Sequence, residues 1–81
     1  MAELTLRVPE LGTTEITFSL WLVEVGEPVK AYDRVAEFLI PGALVDLSAG
    51  IEGRITRRLT VPGETLTTGQ ALGTIDDGAT P

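Results

Sequence analysis

The sequence contains no cysteine and no histidine among its 81 residues. Without cysteine the chain can form no disulfide, no thiolate nucleophile and no cysteine metal site. Without histidine it also lacks the Ser/His/Asp and Cys/His catalytic arrangements and the histidine ligands of zinc sites. Carboxylates and a few hydroxyls are the only groups left for acid–base chemistry, so the composition argues against an enzyme and against a metal site.

Basic residues are also few. Lys and Arg number 6 against 12 Asp and Glu, which gives a net charge of −6 and a pI near 4.3. Nucleic acids and anionic membranes bind proteins through an excess of Lys and Arg, so we expect neither as a partner. Copies of the chain should repel one another, which predicts a monomer. No apolar run reaches the roughly 20 residues of a membrane helix and no signal peptide is evident, so we expect a cytoplasmic setting.

The chain consists mostly of short β-prone runs separated by glycine and proline, with no credible helix. Residues 4–8 alternate apolar and polar, and Pro9 ends that strand. The run 15–25 changes phase near Trp21, which predicts a bulge or bend with Trp21 packed across it. A ligand-binding tryptophan is the alternative. The runs 54–56 and 59–61 predict a strand pair or one bent strand. This spacing predicts an all-β sandwich or barrel in a single domain.

Pro41 and Gly42 separate two apolar-rich runs and predict the tip of a β-hairpin over residues 35–47. Proline presets φ at the first central position of a type II turn, and glycine tolerates a positive φ at the second. Because type II turns match the twist of two-residue hairpins poorly, a longer loop is the alternative. Leu39, Ile40 and Leu44 flank the tip, and their exposure to solvent would indicate a contact surface.

The second half of the chain repeats the first at an offset of 37 residues. Gly26-Glu27-Pro28-Val29 matches Gly63-Glu64-Thr65-Leu66, and the same offset relates Phe38 to Ile75. One unit alone could not bury its apolar face. Two units related by a pseudo-twofold axis therefore predict one flattened barrel, with the Pro41-Gly42 hairpin projecting near the place where the units join.

Four motifs carry a resemblance to a known family: Val8-Pro9-Glu10-Leu11-Gly12, Trp21-Leu22-Val23-Glu24-Val25-Gly26-Glu27-Pro28-Val29, Ile51-Glu52-Gly53-Arg54-Ile55, and Val61-Pro62-Gly63-Glu64-Thr65-Leu66 with Gly69-Gln70-Ala71-Leu72. From Leu4 to Ile75 the chain resembles a lipoyl domain of the biotinyl/lipoyl carrier family. It is most similar to the acyltransferase components of 2-oxo acid dehydrogenase complexes. The resemblance implies a flattened β-barrel (barrel-sandwich hybrid) of two four-stranded sheets over residues 1–76, with 77–81 a tail or the start of a linker.

In this family the exposed hairpin tip bears a lysine joined to lipoate, which swings between active sites. That lysine falls on Gly42 here, the preceding acidic residue on Pro41 and the following alanine on Ala43. Glycine has no side chain to acylate, so the resemblance implies an attachment position without its lysine and no bound lipoate. Lys30, the single lysine, is the alternative for a true lipoyl or biotin carrier.

Three functions follow as hypotheses. The first is a lipoyl-like structural or docking module that is not lipoylated and has protein partners in a 2-oxo acid dehydrogenase-type assembly. The second is a barrel-sandwich domain that serves as architecture in another assembly; the direct meeting of the two halves at Pro41-Gly42 disfavours it. The third is an enzyme with Glu37 or Asp46 as general base, for which the chain supplies no nucleophile, metal or phosphate-binding loop.

Overall fold

Eight β-strands make up the fold in a computed structural model that describes residues 3–78. The strands are β1 (Glu3–Arg7), β2 (Ile16–Trp21), β3 (Pro28–Val29), β4 (Arg34–Ile40), β5 (Ala43–Ser48), β6 (Gly53–Arg58), β7 (Thr65–Leu66) and β8 (Ala71–Asp76). No helix occurs within residues 3–78. The all-β prediction is confirmed. Of the predicted tail, Asp77 and Gly78 are described, and 79–81 lie outside the described residues.

The strands form two antiparallel four-stranded sheets, one in the order β1-β8-β6-β3 and the other β5-β4-β2-β7. One apolar core draws side chains from both sheets. The largest fully buried side chains are Phe18, Phe38, Ile16, Ile55, Leu66, Leu72, Ile75 and Val35. Burial of each such side chain contributes about 1.5–3 kcal/mol, so these positions supply most of the driving force for folding.

The internal repeat is visible strand for strand. An offset of 37 residues carries β2, β3 and β4 onto β6, β7 and β8, and β5 takes the place of β1, so the two sheets have equivalent strand orders. Gly26 donates its N–H to the Ile55 carbonyl at 2.7 Å, and Gly63 donates to the Phe18 carbonyl at 2.8 Å. The φ angles of these glycines are 89° and 90°. The predicted pseudo-twofold repeat is confirmed.

The predicted irregularity near Trp21 lies slightly earlier in the chain. The pairing of β2 with β4 shifts register between Phe18 and Leu20, and β2 ends at Trp21. The Trp21 ring packs 5.4 Å from the Phe18 ring, and its Nε1–H donates to the Thr60 carbonyl at 3.1 Å. Trp21 is therefore a packing residue, as the sequence predicted.

The prediction of a strand over residues 59–61 was wrong. The ladder of β6 with β8 ends at the pairing of Arg58 with Gly73, and the chain then leaves the sheet. Leu59 still donates its N–H to the Leu72 carbonyl at 2.8 Å, but the next carbonyl, of Thr60, accepts from the Trp21 indole instead of a strand. A side chain distant in sequence has taken the hydrogen bond that a ladder would need.

No helix long and apolar enough to cross a bilayer is present in the described part of the chain.

Candidate functional site at the hairpin tip

A two-residue turn connects β4 to β5. Ile40 pairs directly with Ala43, so Pro41 and Gly42 alone form the connection. Gly42 has φ = 80°, the value required at the second central residue of a type II turn. The longer loop considered as an alternative does not form. Proline excludes types I′ and II′, because both need a positive φ at the first central position.

The tip is exposed to solvent. Pro41, Gly42 and Ala43 are all exposed, and no side-chain heavy atom other than those of proline and alanine can project from the turn itself. An open cleft of about 600 Å³ lies beside it and is also lined by Glu15, which precedes β2, and by Thr65 of β7. The predicted site residues therefore lie together at the apex of the β4–β5 hairpin.

Apolar and acidic side chains share the outer face of the hairpin. Leu39 pairs with Leu44 across the two strands, and Glu37 pairs with Asp46 next to them. Leu39 and Leu44 are 49% and 60% exposed. Asp46 accepts from Arg34 at 3.1 Å, and Glu37 accepts from the Ser19 hydroxyl at 3.2 Å.

Lys30 lies at the opposite end of the hairpin from its tip. It follows β3, and the adjoining Ala31 carbonyl accepts from Gly50, just beyond the end of β5. The intervening β4 has 7 residues, which corresponds to about 20 Å at the rise of an extended strand. Lys30 Nζ pairs with Glu52 at 3.2 Å, and both side chains are largely exposed.

Comparison with known proteins identifies the family of this hairpin-bearing fold. The family model described as "Biotin-requiring enzyme", covering biotin and lipoyl domains, matches residues 4–75. The chain belongs to the biotin/lipoyl domain family. The resemblance predicted from the sequence motifs is thereby confirmed.

Two solved structures superimpose on the chain at 19% identity, which establishes the fold alone. The lipoyl domain of the 2-oxoglutarate dehydrogenase complex from Azotobacter vinelandii has a TM-score of 0.72, with 95% of this chain and 98% of that domain covered. A single-chain, multi-domain long-chain acyl-CoA carboxylase has a TM-score of 0.76, with 96% of this chain and 7% of that protein covered.

A curated relative extends the similarity to one kind of biotin/lipoyl protein. The lipoamide acyltransferase component of the branched-chain alpha-keto acid dehydrogenase complex of Bacillus subtilis (strain 168) is 34% identical over 84 aligned positions. The alignment takes in 100% of this chain. The chain spans only 20% of the length of that relative. It is thus similar to one module of the acyltransferase.

Sequence reasoning located the tip but did not resolve the two faces of its hairpin. Leu39 and Leu44 prove to be exposed, whereas Ile40 is half-buried because it shares the inward face with Phe38. The exposure of Leu39 could have been predicted, because neighbouring side chains of a strand point to opposite faces and Leu39 follows the large aromatic Phe38. What the sequence did not reveal was the register that joins Leu39 to Leu44.

Proposed function

We propose that this chain is a lipoyl-domain-like module of a 2-oxo acid dehydrogenase acyltransferase component, or of a close relative, that carries no lipoate or biotin. Its role is that of a structural or docking domain within the assembly. The proposal is supported by the hairpin apex, which consists of Pro41-Gly42 and carries no lysine. Similarity to the Bacillus subtilis lipoamide acyltransferase supports the choice of assembly.

The residues at the tip do not fit a covalently attached lipoyl or biotinyl group. Attachment to a lysine requires a primary amine that can reach the active site of the modifying ligase. Gly42 offers no side chain, and the flanking Pro41 and Ala43 have no nucleophilic atom. Lys30 has the amine, but it lies about one strand length from the tip and pairs with Glu52. We therefore assign no carrier chemistry to the chain.

A lipoyl-like domain that carries no cofactor can still bind a protein partner. The outer surface of the module is acidic, and complementary charge on a partner increases the rate of encounter more than it increases affinity. Tethering the module to an acyltransferase would also raise its local concentration near the other components. A docking role therefore does not depend on a lipoyl or biotinyl group.

The test is an intact-mass measurement after coexpression with a lipoate ligase and lipoate, and separately with a biotin ligase and biotin. We expect the unmodified mass in both cases, and an adduct would overturn the proposal. The variant Lys30→Ala then shows whether such an adduct lies on the single lysine.

A variant that restores the attachment pattern provides the positive control. In Pro41→Asp/Gly42→Lys the apex gains an amine and the preceding carboxylate. We expect this variant to take up lipoate under the same conditions. That outcome would show that the ligase accepts the scaffold, so the unmodified mass of the wild-type chain reflects the missing lysine.

A further inference from the structure

The outer face of the hairpin exposes two leucines that the core does not need. Leu39 and Leu44, which we call the leucine patch, are directly paired across β4 and β5 and point away from the buried Phe38. About half of each side chain remains in contact with water. Because burial stabilises by about 25 cal/mol per Å² of apolar area, each of these leucines contributes only about half of what a fully buried leucine would.

The internal repeat shows that the fold does not require leucine at these positions. In the second half Asp76 occupies the place of Leu39, at the offset of 37 residues, and its register partner is Glu3. The equivalent outer pair of the other sheet is thus two carboxylates. Because the two sheets share one strand order, the leucines are a departure specific to the hairpin that bears the tip.

The charges around the leucine patch have one predominant sign. Glu37 is adjacent on the same outer face, and Glu15 lines the cleft that Leu39 also lines. Asp46 is neutralised by Arg34 at 3.1 Å. Within residues 3–78, neither Glu15 nor Glu37 forms an ion pair. The patch is therefore an apolar centre with uncompensated carboxylates beside it.

We propose that the leucine patch is the docking surface of this module, and that its occupant is a partner protein with an apolar centre and a rim of lysine or arginine. The inference rests on the proposed function, which places that partner among the other components of a 2-oxo acid dehydrogenase complex. We do not expect a second copy of the chain to bind there, because each copy carries a net charge of −6 and the two would repel each other. The rim carboxylates select for a basic partner.

Binding is measured by immobilising the chain and passing each purified protein component of a 2-oxo acid dehydrogenase complex over it. We expect one component to bind the wild-type chain. We expect Leu39→Thr/Leu44→Thr to weaken that binding by about tenfold or more, because two half-exposed leucines would be buried in the complex. Threonine preserves strand propensity, and an unchanged thermal midpoint verifies the fold of the variant.

The matched control replaces two leucines of similar exposure elsewhere. Leu22 and Leu59 are 44% and 51% exposed and occupy equivalent positions in the two repeats. Leu22→Thr/Leu59→Thr should leave binding within about twofold of wild type, since surface changes away from an interface have small effects. Glu15→Gln/Glu37→Gln should slow association and flatten its salt dependence.

The outcomes separate this inference from the proposed function. If the wild-type chain binds a component and Leu39→Thr/Leu44→Thr binds it equally well, the leucine patch is not the docking surface although docking stands. If no component binds the wild-type chain, the docking role and the patch both fail, whereas the mass measurement still decides on lipoylation. If sedimentation shows a dimer that the double variant abolishes, the occupant is a second copy and the proposal is overturned.

Discussion

Gly73 in β8 lies against both a neighbouring backbone and the Trp21 indole, which leaves no room for a larger residue. Gly73 is buried, and a Cβ placed there would meet the backbone carbonyl oxygen of Arg57 and lie 2.9 Å from Cη2 of Trp21. The equivalent residue of the first repeat is Ala36, which is fully buried with its methyl group in place. Trp21 has Arg58 as its counterpart in the second repeat, so the indole is one difference between the two environments.

We predict that Gly73→Ala destabilises the domain. Because the obstructing oxygen belongs to the backbone and the indole is fixed by its hydrogen bond to Thr60, neither can yield easily. Overpacking of this kind costs about 1–3 kcal/mol. With a urea dependence of about 1 kcal/mol per molar for a domain this small, the unfolding midpoint should fall by about 1–3 M. Trp21 is the single tryptophan, so its fluorescence reports both the transition and the displaced ring.

The control is the same change at a glycine with free space. A Cβ at Gly63 would meet nothing within 4 Å, and its φ of 90° is the only obstacle. Gly63→Ala should therefore cost about 1 kcal/mol from backbone strain and leave the Trp21 emission spectrum of the folded state unchanged. If both variants unfold at the same urea concentration with wild-type emission, the steric reasoning about Gly73 is refuted.

Two further substitutions test single interactions. Thr60 is 4% exposed, and its hydroxyl has no hydrogen-bond partner among the described residues. Because the repeat places the buried Val23 at the equivalent position, Thr60→Val should stabilise the domain by about 1 kcal/mol, and a lower thermal midpoint would contradict this. The exposed pair of Lys30 with Glu52 should contribute little, so Glu52→Gln should change stability by less than about 0.5 kcal/mol; a larger loss in denaturant unfolding would mean that screening has been overestimated.

Much of the fold could be predicted because short stretches of sequence determine its turns. The hairpin tip follows from the dipeptide Pro41-Gly42, in which each residue favours the φ that its turn position requires. The repeat follows from glycine turns spaced at one interval, of which Gly26 and Gly63 are the clearest. In each case the conformational preferences of one or two neighbouring residues favour a single turn, so the local sequence predicts it.

Local sequence does not predict the behaviour of backbone groups whose hydrogen-bond partners are distant in sequence. Residues 59–61 have the composition of a strand, yet the carbonyl of Thr60 is bound by the indole of Trp21. The bulge predicted near Trp21 is present in β2, at Ser19, and the pairing with β4 determines the residue at which the register shifts. A local stretch of sequence shows neither the bond to the indole nor the position of the register shift, because both depend on residues distant in sequence.

The sequence by itself determined the chemistry available to this protein. It has one amine-bearing side chain, Lys30, no thiol and no imidazole, and the hairpin tip is Pro41-Gly42. Tertiary structure alone decided where these groups lie. It separates Lys30 from the tip by the length of β4 and leaves Leu39 and Leu44 facing water. Those outcomes depend on strand pairing and on which face of each sheet is covered, and these are properties of the assembled barrel rather than of any segment.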